Sequence, residues 1–218
     1  MGYSGGSYGT SWAAQVHPTY APEIRLVGVA MGGWTTPVGR YLESLDGGPF
    51  AGFLPSILPG MLRADPHLAA AFDRSLTPAG HALIAAGDSK CMTPNVAQHA
   101  FLRMDDYLTI SFGQLLEQVH TSIDALDFDP VASTAPLFLY SAVHDEIIDI
   151  AGPDKAVAQW CADGAPITYT RDQLSEHVSL AISATPAALG WIDDRLAGHT
   201  VPDGCSTRTV QSMALGGA

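Results

Sequence analysis

Gly2-Tyr3-Ser4-Gly5-Gly6 (GYSGG) decides how the rest of this chain is read. It fits G-x-S-x-G, a pattern that places a serine on a strained turn between a strand and a helix. Three residues precede Ser4, and Tyr8 to Val16 is compatible with a helix, ended by His17-Pro18 and Ala21-Pro22. Ile24 to Ala30 (IRLVGVA) is a short apolar run rich in branched residues. Such a run suits a strand buried on both faces of a parallel sheet. It leads into Met31-Gly32-Gly33-Trp34.

From Trp34 to about Asp129 the character changes. Gly and Pro punctuate the chain at DGGPFAGF (46–53) and from Leu54-Pro55 to Pro59-Gly60. Helical patches follow near 66–76, 78–87, 94–103 and 113–124, and Thr77-Pro78 reads as an N-cap with proline at the first helical position. Strand character returns at Pro136 to Val143 (PLFLYSAV) and Ile167 to Thr170 (ITYT), with helices expected over 154–162 and 187–196. Alternating strands and helices imply an α/β fold with a parallel sheet. The organisation expected is a first core segment (1–33), a mostly helical insertion (34–129), a second core segment (130–198) and a polar C-terminal tail (199–218).

Composition narrows the function. The chain has 218 residues, 47% hydrophobic and 15% charged, enough for a sizeable core. A net charge of −12 disfavours nucleic acid or an anionic membrane surface as partner, because either would repel it. No apolar run reaches the length of a membrane span, and no signal peptide is visible. The three cysteines, Cys91, Cys161 and Cys205, match no zinc pattern; being odd in number, they form at most one internal disulfide or else are buried small hydrophobes.

Three residues stand where nucleophilic chemistry needs them. A serine hydroxyl is a poor nucleophile near neutral pH; it needs a histidine to take its proton and a carboxylate to hold that histidine. Ser4 fits the turn, and the N–H of Gly5 would donate to a developing oxyanion. Small residues at 2, 5 and 6 suit a turn too tight for side chains. Asp145 follows the PLFLYSAV strand, with Glu146 and Asp149 as rivals. His177 follows the ITYT strand, and among the other histidines His199 also lies beyond it. Each alone has a plain reading, as a Gly/Ser-rich terminus, a turn carboxylate or a surface imidazole. Together they follow the order Ser, Asp, His, each at the end of the right kind of element.

These residues resemble the secretory lipases of fungi and actinobacteria, the lipase A type. The likeness runs from GYSGGSYGTSWAA through AMGG and LDGGPFAGF to SLTPAG, HDEIIDI, QWCADGA and SEHVSLAI. It implies an α/β-hydrolase core with an inserted helical cap, secretion, no cofactor, and hydrolysis of triacylglycerols or related lipid esters. It matches Ser4 to the nucleophile, Asp145 to the acid, His177 to the base and Gly5 to an oxyanion donor. It pairs Cys161 with Cys205 in a disulfide pinning the C-terminal tail. Cys91 matches a cap cysteine whose family partner lies upstream of the turn, so it is expected to be a free thiol. The stripe Phe50, Phe53, Leu54, Ile57, Leu58, Met61 and Leu62 is either the lining of an acyl tunnel or plain cap core.

The sequence also departs from the family. The strand leading into Ser4, the earlier strands and the loop giving a second oxyanion donor are expected upstream. The chain then corresponds to the C-terminal part of the fold, completed by an N-terminal segment or a second chain. Two readings follow: a serine ester hydrolase, or a catalytically inactive half-domain that binds lipid or is structural. Acyl transfer or peptidase work with the same three residues is a nearer relative of the first.

Overall fold

The computed structural model describes residues 1–34, 37–129, 133, 135–202 and 204–215. Pro130, where the second core segment is expected to begin, and residues 203 and 216–218 of the tail lie outside them. The chain forms two compact units, Met1–Thr36 with Phe128–Ala218, and Pro37–Asp127.

Among the described residues, the first unit is built on a five-stranded sheet, parallel throughout, whose spatial order equals chain order: β1 (Gly2–Tyr3), β2 (Val29–Gly32), β3 (Leu137–Ala142), β4 (Ile167–Asp172) and β5 (Ser206–Val210). All six residues of β3 (LFLYSA) are buried, which is why this strand reads as one apolar run. Side chains alternate across it. Leu137 and Leu139 join Met31, Ile167 and Tyr169 in a core closed by α1 (Gly5–Tyr20) and α9 (Ala151–Ala162), through Ala14, Val157 and Trp160. Phe138, Tyr140 and Ala142 join Ala30 in a second core closed by α10 (His177–Ser183) and α11 (Thr185–Leu196), through Leu180, Ala188 and Trp191. Helices therefore cover both faces of the sheet, the arrangement a parallel sheet needs.

Four expectations change. Gly2 and Tyr3 do form a strand, paired with Met31 and Gly32, so two residues of the strand leading into Ser4 are present. The run at 24–30 holds its strand at its end: β2 starts at Val29 and continues through Met31-Gly32, where the parallel partners are Leu139 and Tyr140. Helix α1 runs past His17-Pro18 to Tyr20, because a proline this close to the end removes one hydrogen bond rather than a helix. The polar tail contains β5, paired along its length with β4.

The second unit is helical: α2 (Val38–Leu45), α3 (Leu54–Ala64), α4 (Pro66–Ser75), α5 (Pro78–Asp88), α6 (Met92–Gln98), α7 (Phe112–Gln118) and α8 (His120–Asp124), with short 3₁₀ turns at Ala51–Phe53 and Met104–Tyr107. Among its described residues the β pairing is one antiparallel bridge, Leu76 to Leu108. Local chemistry starts its helices. Asp65 accepts the N–H groups of His67 and Leu68 ahead of Pro66, Thr77 accepts that of Gly80 ahead of Pro78, and Ser111 with Gln114 forms a capping box. Of the apolar stripe from Phe50 to Leu62, Leu54 and Leu58 are fully buried core and the other five are half-buried. Leu62 lines a groove of about 580 Å³ with Pro59, Leu76 and Ile84.

Candidate active site

Ser4 sits between β1 and α1 at φ 52°, ψ −123°, a conformation that strains any residue with a Cβ. Its neighbours hold it there. The Ser4 N–H donates to the Gly32 carbonyl (2.9 Å). The Ser4 carbonyl accepts the N–H and hydroxyl of buried Ser7 (2.9 and 2.5 Å). Gly2 is required by packing, since a Cβ there would lie 2.1 Å from the Gly6 carbonyl oxygen. Gly5 and Gly6 are not: a Cβ at either meets nothing within 4 Å, so the expectation that all three glycines relieve crowding holds for Gly2 alone. Gly5 opens α1, so its N–H is among the first-turn donors without a partner inside the helix, at the end where the dipole favours negative charge.

Asp145 lies just past β3. Its Oδ1 accepts the N–H groups of Ile147 (3.0 Å) and Ile148 (2.7 Å), a turn fixed by its own side chain. Its Oδ2 is left for His177, 2.8 Å from Nδ1. His177 begins α10 after β4, and its Nε2 stands 2.9 Å from Ser4 Oγ. The side chains of Asp145 and His177 are 2% and 6% exposed, so water does not compete for their contact. The carboxylate can only accept, so Nδ1 carries the proton and Nε2 presents its lone pair to the Ser4 hydroxyl. The structure thus brings Ser4, His177 and Asp145 into one hydrogen-bonded line.

The rivals stand elsewhere. His199 is exposed and faces Asp194 at 3.2 Å. Asp149 accepts the Ala151 N–H at the start of α9. Glu146 does reach the site, but by the main chain: its Oε2 accepts the N–H of His177 (2.7 Å). Cys161 and Cys205 form a disulfide, and Cys91 is an exposed free thiol. Among the described residues no three His, Cys, Asp or Glu side chains converge in a way that could hold a metal ion, and no helix is long and apolar enough to cross a membrane.

Comparison with known proteins gives this geometry its relatives. The family model described as secretory lipase matches residues 1–204. The chain belongs to the secretory lipase family. It is 32% identical to lipase A of Arthroderma benhamiae over 96% of this chain and 45% of that protein. It is 31% identical to lipase 6 of Candida albicans over 98% and 49%, and 30% identical to a probable inactive lipase of Mycobacterium tuberculosis over 93% and 46%. Among solved structures, Candida antarctica lipase A superposes with a TM-score of 0.86 at 25% identity, covering 96% of this chain and 51% of that one. The fold is that of an α/β-hydrolase. This secretory lipase chain spans about half the length of the relatives it matches.

Further residues support the line of three in this secretory lipase, and sequence reading passed over them. Asp172, fully buried at the end of β4, accepts the N–H groups of Leu174 (2.9 Å), Ser175 (2.8 Å) and Met213 (2.6 Å), which shapes the loop carrying His177. Gly33 adopts φ +53°, and a Cβ there would approach Tyr3 Cζ to 2.7 Å and His177 Cε1 to 3.0 Å. Tyr3 donates its hydroxyl to the His177 carbonyl (2.5 Å). Burial, then the nearby Asp145, Tyr140 and Glu146, hold the Tyr3 phenol far above its ordinary pKa. Tyr3 adjoins Ser4 in sequence, the one cue that singles it out; Glu146 stands in the sequence only as a rival acid, not as a partner of the His177 main chain.

Proposed function

We propose that this chain carries the reacting residues of a serine ester hydrolase acting on triacylglycerols or related lipid esters. The observation that supports this best is the continuous contact from Ser4 Oγ through His177 to Asp145, with the serine held at positive φ at the head of α1.

Ser4 Oγ attacks the ester carbonyl carbon while its proton passes to His177 Nε2. The carbonyl oxygen becomes an oxyanion, stabilised by the Gly5 N–H and the positive end of α1. The carbon–oxygen bond to the alcohol then breaks, the alcohol leaves with the proton from Nε2, and an acyl-serine remains. Water, deprotonated by His177, releases the fatty acid by the same steps in reverse. Asp145 orients the imidazole and stabilises it while it is charged. The Cys161–Cys205 disulfide and the family's description support secretion, since such bonds persist in oxidising compartments.

A second reading draws on the Mycobacterium tuberculosis relative, named a probable inactive lipase: a lipid-binding or structural half-domain without turnover. A fluorophosphonate probe separates the two. Stoichiometric phosphonylation mapped to Ser4, and lost in His177→Ala, is the expected result. A folded chain that takes up no probe refutes the hydrolase reading for this polypeptide.

A further inference from the structure

We propose that Tyr3 and Glu146 are positioning residues that clamp His177 through its main chain, while their sequence neighbours Ser4 and Asp145 engage its ring. The inference rests on the hydrolase reading of the same site.

The arrangement is paired. The end of β1 and the turn after it send two consecutive side chains to the histidine: Ser4 Oγ to Nε2 (2.9 Å) and the Tyr3 hydroxyl to the carbonyl (2.5 Å). The turn after β3 does the same: Asp145 Oδ2 to Nδ1 (2.8 Å) and Glu146 Oε2 to the main-chain N–H (2.7 Å). Every polar group of His177 is thereby addressed from two sheet positions that do not adjoin it in sequence. The need is physical. His177 stands at the first position of a seven-residue helix, where its N–H has no partner within the helix. A short helix entered from a loop is a weak base for an imidazole that must stay within a fraction of an ångström of its partners. Glu146 fills the vacant N–H, and Tyr3 takes a lone pair of the carbonyl.

The surroundings favour a hydroxyl at Tyr3 rather than an aromatic wall alone. Its ring already packs on those of Tyr140 (6.0 Å) and His177 (5.3 Å), contacts a phenylalanine would keep. Gly33 leaves the room the pair occupies, because any Cβ at this position would strike the Tyr3 ring and His177 Cε1. Burial beside Asp145 and Glu146 also keeps the phenol protonated, so it remains a donor wherever the enzyme works.

The test uses the full chain and the variants Tyr3→Phe, Glu146→Ala and Glu146→Gln, read in two ways. The first is phosphonylation of Ser4, resolved into probe affinity and limiting rate. The second is the proton NMR signal of His177 Nδ1–H in the unreacted protein, which needs no turnover. Tyr3→Phe and Glu146→Ala should each lower the limiting rate about tenfold with affinity unchanged, and broaden the Nδ1 proton by faster exchange. Glu146→Gln keeps an acceptor oxygen and should stay within about threefold of the parent. If the parent reacts and Tyr3→Phe and Glu146→Ala match it in rate and in the Nδ1 signal, the clamp is refuted and the hydrolase reading stands. If the parent does not react, the hydrolase reading fails, and the Nδ1 signal alone decides: broadening in the variants supports the clamp, an unchanged signal refutes it. Should Tyr3→Phe fail to fold, the contrast between Glu146→Ala and Glu146→Gln carries the same decision.

Discussion

Ser4 is one of two non-glycine residues at positive φ among those described, and the one at the site. Such a conformation costs about 1–3 kcal/mol and persists because Gly32 and Ser7 fix both main-chain groups of the residue. Replacing Ser4 by Ala or by Gly removes the hydroxyl in both cases, but glycine alone relieves the backbone. Ser4→Gly should therefore be more stable than Ser4→Ala by about 1 kcal/mol, the strain relieved less glycine's entropic cost. Urea unfolding of the two variants measures this; equal midpoints would mean the strain only offsets glycine's entropic cost, and a Ser4→Gly variant less stable than Ser4→Ala would mean the turn stores no strain. At this scale the sequence was informative where chemistry names a residue type. Ser4, Asp145 and His177 stood out because each type has a role and each lies at a strand end. Tyr3, Gly33 and Asp172 work through main-chain groups or empty space, and so does Glu146, which the sequence offered only as a rival acid. No residue type advertises that, so only coordinates reveal these roles.

Among the elements, legibility follows burial. β3 and β4 read as strands because both faces are covered and their sequences are largely apolar or branched. β5 (STRTV) is an almost wholly exposed edge strand with no apolar run to betray it. Helix α3 was hidden by its prolines. Pro59 lacks the N–H that the Pro55 carbonyl would accept, and α5 approaches that carbonyl so closely that a Cβ at Gly87 would lie 2.1 Å from its oxygen. The sheet also carries a pH liability. Burial pushes Tyr140 of β3 up to about 12, and Tyr3 and Tyr169 are pushed higher still. Below about pH 10 folded and unfolded phenols are both protonated, and this contribution to stability is fully present. Above that, the unfolded chain releases protons the folded chain keeps, so stability falls as pH rises towards the folded value of about 12. The urea midpoint should decline between about pH 10 and 11, and less steeply in Tyr140→Phe. A parallel decline in the variant would remove Tyr140 from the account.

For the whole molecule, the edge strand and the candidate site are one mechanical problem. β5 is exposed, so hydrophobic burial does little to hold it. What holds it is its ladder to β4 and the Cys161–Cys205 disulfide, which closes a separation of 44 residues between the end of α9 and the start of β5. In the loop-entropy model such a crosslink stabilises by about 4 kcal/mol, with about 2–4 typical in practice. The histidine loop leans on this strand: Gln173 and Leu174 donate their N–H groups to the carbonyls of Val210 and Gln211, and Asp172 binds the Met213 N–H beyond it. Loss of the disulfide should therefore propagate from the edge to His177, without touching any reacting group. The double variant Cys161→Ser, Cys205→Ser is expected to lose about 2–4 kcal/mol of stability, with faster amide exchange at 206–210 and then at 173–175. Phosphonylation of Ser4 should slow in step with exchange at 173–175. Faster exchange confined to β5, with the reaction rate unchanged, would show that Asp172 alone holds the loop and that the edge strand is dispensable to the site.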